Sequence, residues 1–143
     1  LLDLFDKDLK PSIKDKISLN PILNSFHKTL HKYDIDYKLV DSFSNSMKLD
    51  LDKNKYLSKK EFDQYVYGSA DVVGLMCLKV FVKGDQNQYL ELKPYAMSLG
   101  SAFQKVNFLR DLKDDSKILN RVYFPNVDMN KFDESSKILK TKI

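Results

Sequence analysis

Apolar residues recur along this chain at three- and four-residue intervals, the period of helices with one buried face. In residues 1–9, Leu1, Leu2, Phe5 and Leu9 share one side, and Pro11 predicts the end of that helix. A second helix is predicted over 22–33, with Asn20 to cap it and Pro21 suited to its first turn. A third covers 37–50, with Leu39, Val40, Phe43 and Met47 apolar. A turn follows over 50–57. A fourth helix runs over 58–82 and stops at Lys83-Gly84-Asp85. The fifth, about 90–115, is apolar over most of its circumference, through Leu99, Ala102, Phe103, Val106, Phe108, Leu109 and Leu112. Such a helix reads as a core helix, with Pro94 able to shift its start. After Pro125 comes a polar loop and then a short helix over about 134–141. There is no internal repeat and no low-complexity linker.

One stripe of the fifth helix breaks the apolar pattern. At about 100° per residue, Gln104, Asn107, Asp111 and Asp115 fall within roughly an 80° arc. Two carboxylates and two amides on a core helix are costly to bury unless water, a metal or a charged ligand meets them. Asp111 and Asp115, one turn apart, repel each other, and a divalent cation removes that repulsion. Asp and Asn oxygens are hard ligands, suited to Mg²⁺ or Mn²⁺ completed by water and phosphate. A solvated, acidic helix end explains the same spacing.

Composition narrows the classes little. The chain has 143 residues, enough for one domain, and 43% of them are hydrophobic. Four Gly and four Pro favour helices over a sandwich or barrel. The net charge of +4 is spread among interspersed Lys and Asp/Glu, compatible with anionic ligands or peripheral membrane contact. No basic block with interleaved aromatics points to nucleic acid. Cys77 is the one cysteine, so no internal disulfide forms, which fits a cytoplasmic setting. It lies in the apolar run 72–78, reads as a buried small hydrophobe, and the run is too short to span a bilayer. No signal peptide is visible, but the chain opens at Leu1 rather than Met, so a leader upstream stays open.

Two other patterns carry chemistry on paper. Residues 50–61 set oxygen-bearing side chains at positions 1, 3, 5, 9 and 12 of a calcium loop, from Asp50 to Glu61. Lys55 stands where the sharp turn calls for Gly, and no second loop accompanies it. Ser58 and Glu61 form a capping box, with Leu57 and Phe62 as its hydrophobic staple, and account for the same residues. His27 and His31, at i, i+4, have a zinc-compatible spacing, but read as two surface histidines. A core role explains Tyr65 and Tyr67 equally well, and Tyr67 reads as a core aromatic.

The flanks of the polar stripe make it specific. The run from Ala96 through Leu99, Gly100, Ala102, Gln104, Asn107, Arg110 and Asp111 to Asp115, followed by Arg121, Tyr123 and Pro125, resembles the second aspartate-rich signature of the squalene and phytoene synthases. That signature is roughly A-x-x-L-G-x-A-x-Q-x-x-N-x-x-R-D-x-x-x-D with a following R-x-Y-x-P. A second signature, near Y-x-Y-x-x-A-G-x-V-G-x-M, resembles residues 65–76. The resemblance covers about residues 33–125 and includes the stretch from Asp50 to Glu61. It implies an all-α fold, with residues 1–143 as one partial isoprenoid-synthase domain from the middle to the C-terminal portion of a helical bundle.

The resemblance also implies a reaction. Two prenyl diphosphates, farnesyl or geranylgeranyl, condense head to head through a cyclopropylcarbinyl diphosphate to a squalene- or phytoene-type product. The cofactor is Mg²⁺, with Mn²⁺ as a substitute, and NADPH enters only for a squalene-type product. Carried over by position, Asn107, Asp111 and Asp115 hold the metal. Tyr65, Arg110, Asp111 and Asp115 serve the chemistry, Gln104 and Asn107 bind substrate near the diphosphate, and Arg110 and Arg121 face the diphosphate or pair with the aspartates. Ala70, Val73, Gly74, Ala96 and Gly100 line the prenyl channel. The family's first D-x-x-x-D motif is missing, Asp71 replaces a usual Gly, and Asn120 stands where Gly often precedes the arginine. Three readings follow: part of a working prenyltransferase, inactive alone; a non-catalytic structural or assembly relative; or a calcium-binding helical module.

Overall fold

The computed structural model describes residues 2–53, 55–117 and 121–125. The order is α1 (Leu2–Asp15), α2 (Pro21–Lys32), α3 (Tyr37–Asp52), α4 (Lys59–Val66), a π-helical turn (Tyr67–Asp71), α5 (Val72–Phe81) and α6 (Gln86–Lys117). The fold is all-α. Its extended pairing among the described residues is an isolated parallel bridge, Lys55 with Val122. The short helix expected near 134–141 lies outside the described residues.

Helix α1 runs through Pro11 instead of ending before it. The ring of Pro11 faces solvent, while Leu9 and Ser12 beside it are buried. Packing on that inner face, where Leu9 joins Leu23, Leu30 and Val40, outweighs the one lost backbone bond. Asp6 bolts α1 to α3 by accepting from Ser44 Oγ at 3.0 Å and pairing with Lys48. The Lys48 hydrogen bond holds the Asp6 carboxyl below its ordinary range.

Asn20 caps α2 as its sequence predicts, accepting from Ile22 N at 2.9 Å, with Pro21 in the first turn. His27 is not on the surface. It is 2% exposed because α2 buries the stripe Leu23, His27, Leu30. Its Nε2 lies 3.0 Å from Asn24 Oδ1, whereas exposed His31 turns its Nε2 toward Ile13 O. Each ring thus has its own partner.

Residues 58–82 do not form one regular helix. Ser58 and Glu61 close the expected capping box at 3.2 and 3.3 Å, starting α4. Leu57 stays exposed while Phe62 is buried, so the staple does not close. Replacing Ser58 by Ala is expected to cost about 1 kcal/mol, read as a lower urea midpoint of the complete protein. The π turn then interrupts the helix where it passes α3 and α6. A Cβ on Gly68 would overlap Ser46 Oγ and sit 2.9 Å from Ser42 O. Asp71 accepts from Ser101 Oγ of α6 at 2.7 Å. Tyr67, at the turn's outer face, is exposed rather than core.

Helix α6 begins at Gln86, earlier than the pattern predicts, because Asp85 Oδ1 accepts from Asn87 N and Gln88 N and Tyr89 is buried in its first turn. Pro94 is inside it, on an exposed side. The core between α3, α5 and α6 is built of Leu39, Val72, Leu75, Leu78, Val82 and Tyr89. Helices α5 and α6 approach closely at two glycines. A Cβ on Gly74 would lie 2.6 Å from Ala96 O, and one on Gly100 2.8 Å from Ala70 O. No helix among the described residues is long and apolar enough to cross a membrane.

Candidate functional site

Along α6 the expectation of a core helix fails on one side. Phe108 and Leu112 are buried, but Leu99, Phe103 and Val106 are 60, 65 and 60% exposed. Leu99 and Phe103 share a flank with Leu92 and Tyr95 and, together with α5, form a groove of about 530 Å³. Ala70, Val73 and Gly74 from the π turn and α5 line it, with Ala96 and Gly100 from α6 opposite. Cys77 also lines it and is exposed, which corrects the expectation of a buried thiol. The two glycines do more than leave room. With no Cβ they let the helix backbones meet, which sets the depth of the groove floor.

The groove is apolar over most of its wall and becomes polar at Gln104. About one, two and three turns further along α6 lie Asn107, Asp111 and Asp115, all half-buried. From Leu92 to Gln104 the helix rises about 18 Å. A long hydrocarbon with a charged head fits such a trough, its head toward the carboxylates.

Arg110 donates to Asp111 through Nε at 2.8 Å and through an Nη at 2.7 Å. This fork holds the Asp111 carboxyl below its ordinary range, so it is an anion at neutral pH. Asp115 accepts from Arg121 N through its carbonyl at 2.8 Å. No group of three or more His, Cys, Asp or Glu poised for a metal occurs among the described residues. Asn107, Asp111 and Asp115 share one helix face and carry hard oxygen donors.

Tyr65 is 3% exposed and does not line the groove. It stands in an aromatic cluster with Tyr56, Phe62, Phe108 and Tyr123, one turn before the groove residues Ser69 and Ala70. Its hydroxyl donates to Asp50 Oδ2 at 2.7 Å. Arg121 donates to the carbonyl of Asp50 at 2.7 Å. Glu61 gives its carboxylate to Lys53 and to the α4 cap, and Asp50 gives its own to Tyr65. The last ligand of a calcium loop is thus engaged elsewhere, and so is one oxygen of the first.

Asp71, the residue that departs from the expected glycine, faces Ser101 and the opposite side of α6 from the groove. It adds no charge to the groove wall. Burial raises its carboxyl above the ordinary range, and the Ser101 bond and Lys105 oppose that shift.

Comparison with known proteins decides the family. The squalene/phytoene synthase profile matches residues 1–142. The chain belongs to the squalene/phytoene synthase family. A phytoene synthase of Arthrospira platensis is 30% identical over 141 residues, 92% of this chain and 45% of that enzyme. Phytoene synthase 2, chloroplastic, of Oryza sativa subsp. japonica is 34% identical over 99 residues, 68% of this chain and 25% of that enzyme. The 15-cis-phytoene synthase of Synechocystis is 29% identical over 119 residues, 78% and 35% of the two chains. The chain thus spans less than half the length of these relatives. No solved structure matches it.

Within this squalene/phytoene synthase chain, sequence reasoning missed Asp50, Tyr56 and Phe108 as parts of one cluster. Asp50 was legible only as a calcium-loop position. Its partners, Tyr65 and Arg121, lie 15 and 71 residues away. Helical period reports one helix face and is blind to such pairs.

Proposed function

We propose that the complete protein carrying this chain is a phytoene synthase-type prenyltransferase, joining two prenyl diphosphates head to head. The observation that carries this reading is the apolar groove between α5 and α6, which ends at Gln104 and the oxygen stripe of Asn107, Asp111 and Asp115. The groove takes the isoprenoid tail, and the stripe takes the diphosphate end. Phytoene synthases among the relatives favour the phytoene-type product over a squalene-type one.

In this reading Asn107, Asp111 and Asp115 hold Mg²⁺ from one side, and carboxylates outside residues 1–143 hold it from the other. Bound Mg²⁺ neutralises the charge that develops on the departing diphosphate. Arg110 keeps Asp111 ionised and aimed. Gln104, at the polar end of the groove, donates to the diphosphate. Ala70, Val73, Gly74, Ala96 and Gly100 present apolar side chains and backbone, and so no nucleophilic side chain of their own, toward an allylic cation and its cyclopropylcarbinyl successor. Tyr65 lies beside the reacting carbons, and Arg121 supports it through Asp50 rather than meeting the diphosphate.

The complete protein incubated with geranylgeranyl or farnesyl diphosphate and Mg²⁺ is expected to release diphosphate and form a head-to-head hydrocarbon with no added NADPH. Chromatography of the extracted lipid reads the product. Absence of any condensation product with either substrate overturns the reading and favours the non-catalytic relative.

A further inference from the structure

The cluster around Asp50 gathers three parts of the chain on one residue. Asp50 sits in the last turn of α3. Its Oδ2 accepts from the Tyr65 hydroxyl of α4 at 2.7 Å. Its backbone carbonyl accepts from the Arg121 guanidinium at 2.7 Å, beyond α6. Tyr56 and Tyr123 close the site, their rings 4.7 and 5.7 Å from that of Tyr65. Such an arrangement leaves the Tyr65 phenol little rotational choice, because it has an anionic acceptor on one side and stacked rings on the others.

We propose that Asp50 is a positioning residue for the reaction, fixing the orientation of the Tyr65 phenol one turn before the groove residues Ser69 and Ala70. Two further observations fit the assignment. Asp50 Oδ1 and the Tyr56 hydroxyl are buried, and neither has a hydrogen-bond partner among the described residues. A carboxylate kept buried with half its acceptors unused is costly to stability. Burial raises the Asp50 carboxyl, against the Tyr65 hydrogen bond and the Arg121 charge that lower it. Arg121 thus serves twice: it anchors the segment after α6 to α3, and its charge favours the ionised Asp50 that Tyr65 meets.

This inference rests on the placement of Tyr65 at the reacting centre, and the test separates the two. Asp50→Ala, Asp50→Asn, Tyr65→Phe and the two corresponding double variants are made in the complete protein. Steady-state kcat and KM for the prenyl diphosphate are measured at saturating Mg²⁺. The near-ultraviolet difference spectrum of each metal-free variant reads the tyrosine environment independently of turnover. Asp50→Ala is expected to lower kcat about 10- to 100-fold, the range of a lost hydrogen bond to a charged group, with KM changed less than about twofold. Asp50→Asn, whose amide oxygen still accepts, recovers most of that loss. Neither Asp50 change lowers kcat further on the Tyr65→Phe background, where the tyrosine difference signal is also lost. Wild-type kcat in Asp50→Ala, equal damage by Ala and Asn, or losses that add to that of Tyr65→Phe overturn the proposal. Wild-type kcat in Tyr65→Phe overturns the placement of Tyr65 and the positioning role with it, while the spectrum still reports whether Asp50 holds the phenol.

Discussion

Asp111→Asn in the complete protein is expected to lower Mg²⁺-dependent turnover by about a thousandfold or more, with folding unchanged. The substitution keeps size and shape and, on the proposed function, removes one ligand charge beside the diphosphate. The fold is insensitive because Asp111 is half-exposed and its described partner is the adjacent Arg110 on the same helix turn. Exposed ion pairs of this kind contribute little to stability. The melting midpoint should therefore move by less than about 2 °C. The pH dependence has a definite sign. Arg110 lowers the folded-state pKa of Asp111, so the ligand charge is present at neutral pH and is lost only as pH falls through that lowered value. Mg²⁺ titrations of diphosphate release, with circular dichroism as the folding control, read both halves of the prediction. Wild-type turnover at any Mg²⁺ concentration would remove Asp111 from the site.

Gly100→Val tests the other half of the site, the contact between α5 and α6. A Cβ at residue 100 lies 2.8 Å from Ala70 O and 3.2 Å from Asp71 Cα, and both are backbone atoms of the π turn that no side-chain rotation can move. Valine adds two further methyl groups against the same wall. The expected cost is about 3 kcal/mol, the upper end of the range for overpacked cores. Gly84→Ala is the informative comparison. Gly84 has φ +81°, and its nearest neighbour, Tyr33 O, is 3.7 Å from an added Cβ. Only backbone strain opposes that change, about 1 kcal/mol. Urea midpoints of the two variants should rank Gly100→Val well below Gly84→Ala. The reverse order would mean that the α5–α6 approach is looser than these distances require.

How much of this was visible in the sequence depended on the range of the interaction. Caps at Asn20 and Ser58 were legible because a cap is a local hydrogen bond between residues two or three apart. The groove-lining Ala70, Gly74, Ala96 and Gly100 were legible through family signatures, but their reason was not. Spacing marks small residues without saying whether a ligand or a neighbouring backbone requires the space. His27 was misjudged although its stripe with Leu23 and Leu30 was readable, because histidine is more often exposed. The π turn gave no local signal. It arises where Gly68 and Asp71 meet α3 and α6, and tertiary packing of that kind overrides the α-helical period. The apolar pattern of α6 correctly located greasy positions, but a pattern does not name the partner that covers them.

The Arg121–Asp50 bond spans 71 residues of chain. Its closure therefore belongs to the late part of folding. The short α5–α6 connection lets the trough assemble from neighbours in sequence, at small loop entropy. The tyrosine cluster must wait until the segment beyond α6 returns to α3. A newly made chain thus assembles its apolar trough before it closes the tyrosine cluster.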